Sequence, residues 1–149
     1  MTVPYITNLE GDAYAADILN VDAWTDATED DKTKGAKMAT VAIDRLNFLG
    51  EKSVETQDNQ FPRYDDTAYP DDIQRATFEL ALVLLDGLDP ELEYDNLNMV
   101  SQGYSNIKSN YDRTVKPEHI VAGIPSITAW RLLRPYLRDP FTVDMRRGS

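Results

Sequence analysis

The residues able to do chemistry are few and scattered. The chain has one histidine, His119, and no cysteine. Composition alone therefore excludes a pair of imidazole ligands, thiolate-bound zinc, iron–sulfur clusters, disulfides and thiol catalysis. A Ser-His-Asp arrangement would have to be built around His119. That residue follows Lys116-Pro117-Glu118 in a connector-like stretch, and a surface or packing histidine is the simpler account. The doublets Asp65-Asp66 and Asp71-Asp72 offer oxygen ligands of the kind Mg²⁺ or Ca²⁺ takes, although acids directly after Pro70 also supply the charge that a helix N-terminus prefers. Asp30, Lys32, Lys34 and Gly35 echo the start of a calcium loop but put lysine where two acidic ligands belong. Gly50-Glu51-Lys52-Ser53 lacks the backbone cradle of a phosphate loop. No cofactor and no metal are expected.

Trp24, Tyr64, Tyr69, Tyr104 and Tyr111 could stack on unpaired bases, at about 1 to 3 kcal/mol per base. Such a groove also needs cations along the nucleic-acid backbone. Between residues 50 and 114 only Lys52, Arg63, Arg75, Lys108 and Arg113 stand among many acids, so core or interface positions suit these rings better.

With 149 residues, 42% of them apolar and 28% charged, the chain fits one folded domain. Its net charge of −11 disfavours general binding to duplex DNA or an anionic membrane. The charge is unevenly spread. Residues 1–114 hold 9 Lys or Arg against 23 Asp or Glu, whereas residues 115–149 hold 6 against 3. A basic end on an acidic body suits head-to-tail contact between copies or docking on an acidic partner, and a solvated basic helix end explains it equally well. No apolar run approaches the roughly 18 to 20 residues that span a bilayer, and Met-Thr-Val-Pro-Tyr lacks the order of a signal peptide. A soluble, cytosolic protein with no membrane partner is the default expectation.

These residues need elements to position them, and the pattern is mainly helical. Thr7 with Glu10 fits a capping box opening a helix over about 8–19, with Leu9, Ala13 and Ala16 at helical spacing and Tyr14 and Ile18 widening the apolar side. Thr28, followed by Glu29, Asp30 and Asp31, caps a second helix striped by Ala39, Ala42, Ile43, Leu46 and Leu49 and ended by Gly50. Residues 51–69 predict a long surface loop anchored by Phe61-Pro62-Arg63-Tyr64. Pro70 opens a central helix with Ile73, Ala76, Leu80 and Leu84 on one side and Phe78, Leu82 and Leu85 on the other. Residues 87–95 read as its exit, and Val100 to Tyr111 as a short β-hairpin or extended arm. Pro125 sits at the first position of a last helix, with Ser126, Trp130, Leu133 and Leu137 on one face and Arg131, Arg134 and Arg138 beside it within an arc of roughly 60°. Residues 1–138 are expected to form a single helical domain, a small bundle, and residues 139–149 a flexible tail.

The order of these landmarks resembles the head–tail connector proteins of tailed bacteriophages. Tyr5-Ile6-Thr7 before a short Ala-rich helix, Trp24 ahead of an acidic cap, and Leu46-Asn47-Phe48-Leu49-Gly50-Glu51-Lys52 resemble the family's N-terminal half. Gln60-Phe61-Pro62-Arg63 resembles its aromatic-Pro-Arg loop, Pro70 to Leu85 its central helix, and Ile124-Pro125 to Leu137 its closing segment. Each motif is weak alone, and their ordered co-occurrence over most of the chain carries the likeness.

The resemblance implies a non-enzymatic structural protein of the virion, assembled in the host bacterial cytoplasm. It would be a head-completion adaptor that forms a ring, typically of twelve copies, beneath the portal protein and above the next tail or stopper component. Genomic DNA would pass through the lumen without specific binding, which a net negative surface suits. By position, Arg131, Arg134, Arg138, Phe141, Arg146 and Arg147 would face the portal, and Phe61, Pro62 and Arg63 would serve loop packing or a contact between protomers. Some members of this kind are labelled as DnaT-like single-stranded-DNA-binding domains, so such binding is the alternative, against which the charge of −11 weighs. A metal-dependent hydrolase using Asp65, Asp66, Asp71 and Asp72 is a third, lesser alternative.

Overall fold

Local rules set the helix starts. Thr7 caps α1 (Asn8–Ala16): its hydroxyl accepts the Glu10 N–H at 3.1 Å while the Glu10 carboxylate accepts the Thr7 N–H at 2.9 Å. Two donors that a helix end would otherwise leave orphaned are satisfied together. One turn, α2 (Asp22–Thr25), carries Trp24. The Thr28 hydroxyl accepts from Asp31 N–H at the head of α3 (Glu29–Asp44), and Pro70 stands before α4 (Asp71–Leu85). Then come α5 (Pro90–Ser105), α6 (Glu118–Val121), α7 (Ile127–Leu133) and a 3-10 turn, Arg134–Tyr136. This is a computed structural model, and it describes residues 3–105 and 117–138. The chain is mainly α, with no strand among the described residues.

α4 is the central helix. It packs on α3 and α7 and more lightly on α1 and α2, and buries Ile73, Ala76, Thr77, Phe78, Leu80 and Ala81. Small residues on α3, Gly35, Ala36 and Ala39, bring the two helices close: a Cβ on Gly35 would lie 3.2 Å from Leu85 Cγ. Gly35 near the start of α3 thus meets the end of α4, so the pair runs antiparallel. The two buried hydroxyls on this interface are satisfied within their own helices, Thr40 on Ala36 O at 2.8 Å and Thr77 on Ile73 O at 2.7 Å. Ile124, Ala129 and Leu133, none of them exposed, belong to the same core.

Several expectations change in three dimensions. On α1 the buried side is Gly11 and Ala15, while Leu9, Ala13 and Ala16 face solvent. The reason is Trp24, fully buried, whose ring occupies the space a Cβ on Gly11 would need. α3 stops at Asp44 rather than near Gly50, because Phe48 turns into the core and the carbonyls of residues 48–50 are taken by Arg63. Ser126, not Pro125, begins the last helix, accepting from Ala129 N–H at 3.1 Å as its cap. The segment expected to leave α4 and then form a hairpin is helical from Pro90 to Ser105. Asp89 explains that start, since its carboxylate accepts Glu91 N–H at 3.0 Å and Pro90 fits the first turn. The rest of the expected hairpin, residues 106–111, lies outside the described residues, as does the tail 139–149.

Residues 45–70 join α3 to α4 without helix and are held by their own hydrogen bonds. Ser53 N–H donates to Pro62 O at 3.0 Å and Tyr64 N–H to Glu51 O at 2.8 Å, around a single antiparallel pair, Lys52 with Arg63. Gln57 adds amide donation to Asn59 O and Pro62 O at 2.9 and 2.8 Å. Gly50, with φ of +80°, lets the Tyr64 ring lie where a side chain would otherwise stand.

Candidate functional site

The arginines singled out near the end of the chain do not form one row. Because α7 ends at Leu133, Arg134 begins the 3-10 turn and Arg138 lies beyond it. Arg131 is exposed, while Arg134 and Arg138 are half-buried. Arg134 Nε stands 3.7 Å from Glu118 Oε2, a half-exposed pair of small energetic value. Arg138 donates its backbone N–H to Asn47 O at 2.9 Å, and its Nε is buried without a hydrogen-bond partner among the described residues. Phe141, Arg146 and Arg147 lie outside the described residues.

Phe61 and Arg63 are turned into the fold. Phe61 is 3% exposed, packed edge-on against Phe48 at 4.7 Å and against Tyr5 and Tyr136 at 6.0 and 6.2 Å. Arg63 is 7% exposed and faces carbonyl oxygens rather than a carboxylate. Its Nε donates to Leu49 O at 2.8 Å, Nη1 to Gln60 O and Oε1 at 3.2 and 2.9 Å, and Nη2 to Phe48 O and Gly50 O. Burial pulls its pKa below the ordinary arginine value, and the fork geometry of the guanidinium is what reaches both strands of the loop. Pro62 is half-buried after a cis peptide bond. Little of Phe61 or Arg63 is left for a neighbouring protomer.

Beside this loop lies a buried polar knot. The Tyr5 hydroxyl donates to Asp44 Oδ1 and accepts Phe61 N–H at 3.1 Å, and Gln60 N–H reaches the same Asp44 oxygen at 3.3 Å. Burial raises the pKa of both Tyr5 and Asp44 above their ordinary values. A second knot joins α1, α2 and α3. Trp24 Nε1 donates to Asp12 Oδ1 at 2.8 Å, and Lys32 Nζ, from a side chain 9% exposed, reaches the same oxygen at 3.0 Å while lying 5.5 Å from the Trp24 ring. The indole hydrogen bond, then Lys32, hold Asp12 below the usual carboxylate range. The second knot closes the junction of α1, α2 and α3, and the first ties the start of the chain to the end of α3 and the loop after it.

The remaining chemical candidates stay apart. Asp65 and Asp66 are exposed, and Asp72 Oδ2 accepts from the Tyr136 hydroxyl at 3.0 Å in the first turn of α4. Among the described residues no three His, Asp or Glu side chains converge as a metal site. His119 is half-buried in α6, and among the described residues no hydrogen bond joins its ring to a serine or a carboxylate.

Sequence reasoning missed an open groove of about 680 Å³ between α3, α4, α5 and α6. Met38, Val41, Leu80, Leu84, Tyr94 and Val121 make its apolar wall. Met38 and Val121 are 58% and 51% exposed. Lys37 and Arg45 border it along α3, and Asp89, Glu91 and Asp95 along the start of α5. The sequence signal was a second apolar stripe on α3, Met38 with Val41 and Ala42, next to the stripe that faces α4. Among the described residues no helix is long and apolar enough to cross a membrane. No family model, curated protein or solved structure matches this chain.

Proposed function

We propose that this chain is a structural adaptor at the head–tail junction of a tailed bacteriophage, forming a ring, typically of twelve copies, beneath the portal and linking the DNA-filled head to the next tail component. The ordered landmarks from Tyr5-Ile6-Thr7 through Phe61-Pro62-Arg63 to Leu132-Leu133-Arg134-Pro135-Tyr136-Leu137 support it, as does a mainly helical protomer.

The observation that carries the proposal is the placement of Arg131 and Arg134. Trp130 and Leu133 fill the core side of α7, which leaves Arg131 exposed and Arg134 half-buried in a loose pair with Glu118. These are accessible cations at the end of a chain with a net charge of −11. They would dock on an acidic portal surface, and Arg138, Phe141, Arg146 and Arg147 would extend that contact. The role is architectural, with no catalysis and no cofactor, and DNA would pass without specific contact.

The test is an affinity pull-down of tagged protein from cells producing the source phage, read by mass spectrometry and negative-stain imaging. Portal protein and ring-bearing capsid vertices should be retained, and Arg131→Ala with Arg134→Ala should reduce both. Recovery of replication proteins without capsid, together with salt-sensitive binding of single-stranded oligonucleotide, would overturn the adaptor and favour the nucleic-acid binder.

A further inference from the structure

We propose that the groove between α3, α4, α5 and α6 receives α1 of a second copy of this chain, with Leu9, Ala13 and Ala16 of that copy on the apolar wall and its Glu10 and Asp17 along the border formed by Lys37 and Arg45. The contact is drawn from the protomer alone and stands whether or not the chain is an adaptor.

Each half of this contact is left uncovered by its own chain. Leu9, Ala13 and Ala16 share an arc of about 60° on α1 at about 100° per residue, and all three face solvent, Leu9 with 81% of its surface exposed. An apolar helix face is ordinarily turned to a core, but on α1 Gly11 and Ala15 take that place. In the groove, Met38, Val41, Tyr94 and Val121 are likewise exposed. The lengths agree: Leu9 to Ala16 covers about 10 Å at helical rise, and Lys37 to Arg45 about 12 Å.

Charge sets how the two surfaces face. Residues 1–31 hold eight acids and no Lys or Arg. On α1, Glu10 and Asp17 fall on one flank of the apolar stripe, about 80° to 100° from Leu9, and both are exposed. Lys37 and Arg45 are exposed too and form no ion pair among the described residues. The other flank of the stripe carries Asn8 and Asp12, and Asp12 is already paired with Lys32 at 3.0 Å. The acidic border of the groove, Asp89, Glu91 and Asp95, therefore meets no unpaired carboxylate. No chain can fill its own groove in this way. Asn8 Nδ2 donates to Glu29 O at 3.0 Å and to Thr33 Oγ1 at 3.2 Å, whereas Met38, five residues beyond Thr33, lies about 140° further round α3. The contact joins unlike surfaces and leaves one of each free, so it passes from copy to copy until a ring closes.

The absence of cysteine allows single thiols to be placed on the full-length chain. Leu9→Cys and Val41→Cys chains bearing tags of different length, mixed in equal amounts under mild oxidation, should give a mixed disulfide dimer. Its yield should be several times that of a control mixture of Val54→Cys with Val41→Cys, in which the first thiol sits on the exposed loop after α3. Neither variant alone should exceed the control, and a chain carrying both Leu9→Cys and Val41→Cys should give a ladder of multimers. Adding Asp17→Lys to the Leu9→Cys chain should remove most of the excess, and Lys37→Glu with Arg45→Glu in the Val41→Cys chain should restore it, with circular dichroism unchanged throughout. A mixed dimer no more abundant than the control overturns the proposal. Dimers of Val41→Cys chains as abundant as the mixed ones overturn it in favour of a groove-to-groove contact, and a yield indifferent to Asp17→Lys overturns the placing of α1 along Lys37 and Arg45. No phage component enters the sample, so the result is independent of the pull-down.

Discussion

The phenol of Tyr5 donates its hydrogen bond to the carboxylate of Asp44, joining the start of the chain to the end of α3 across 39 residues. The same oxygen of Tyr5 accepts Phe61 N–H, so one side chain fixes both α3 and the loop that follows it. Tyr5→Phe removes one of the donors to the half-buried Asp44 carboxylate, which keeps Gln60 N–H, and removes the acceptor of the buried Phe61 amide. Leaving that amide unpaired costs about 1 to 3 kcal/mol. Thermal unfolding should show a lower midpoint with unchanged helical content.

Asp44 and Asp12 should give stability opposite dependences on pH. Burial holds the Asp44 pKa above the ordinary carboxylate value, against the pull of Tyr5 and Gln60. The native state then binds that proton more tightly than the unfolded chain does, and stability falls as pH rises from the ordinary value through the raised one. Asp12 is held low by Trp24 and Lys32, so its contribution is present above the ordinary carboxylate pKa and is lost as pH falls through its depressed value. Urea midpoints from about pH 3 to pH 7 separate the two. Asp44→Asn should gain relative to the parent as pH rises, and Asp12→Asn should lose; parallel curves for either variant would contradict its assignment.

Gly11→Ala should destabilise the junction of α1 and α2. The new Cβ would lie 2.1 Å from a ring carbon of Trp24, which has no exposed surface into which to move. Overpacking of this kind costs about 1 to 3 kcal/mol. Trp24 reports it directly, through near-ultraviolet circular dichroism and a lower unfolding midpoint.

Arg63→Met should loosen the loop over residues 48–63. It leaves the carbonyls of Phe48, Leu49 and Gly50 without their shared donor, at about 1 to 3 kcal/mol for the first group left unpaired. Arg63→Lys should restore only part, because an ammonium group cannot span Leu49 O and Gln60 O together. Hydrogen exchange at Ser53 and Tyr64 would follow the loosening, and full rescue by lysine would contradict it.

What was legible in the sequence was local. The Thr7 and Glu10 box, the Thr28 cap and the Pro70 start lie within one helical turn of the residues that define them, and each sits where its residues predict. The side of α1 that is buried was not legible, because Trp24, 13 residues after Gly11, decides it through tertiary contact. The end of α3 depended likewise on Arg63, 18 residues downstream of Arg45. α5 had a local signal, Asp89-Pro90-Glu91, that the Ser, Asn and Gly content after Val100 obscured. Among the site residues, Phe61 and Arg63 could be read as an anchored loop, whereas the groove needs four helices before it exists. Fold class follows from periodicity, but a concavity between elements is a property of their arrangement alone.

Ile124, Ala129, Trp130 and Leu133 complete the core around α4, and they lie near the end of the described chain. During synthesis α3 and α4 leave the ribosome well before these residues do. Until then, part of the apolar surface of the central helix has only water or a chaperone against it. Folding of this core is therefore closed late, and a nascent chain stalled before Ile124 would present a sticky, incomplete bundle to chaperones and proteases.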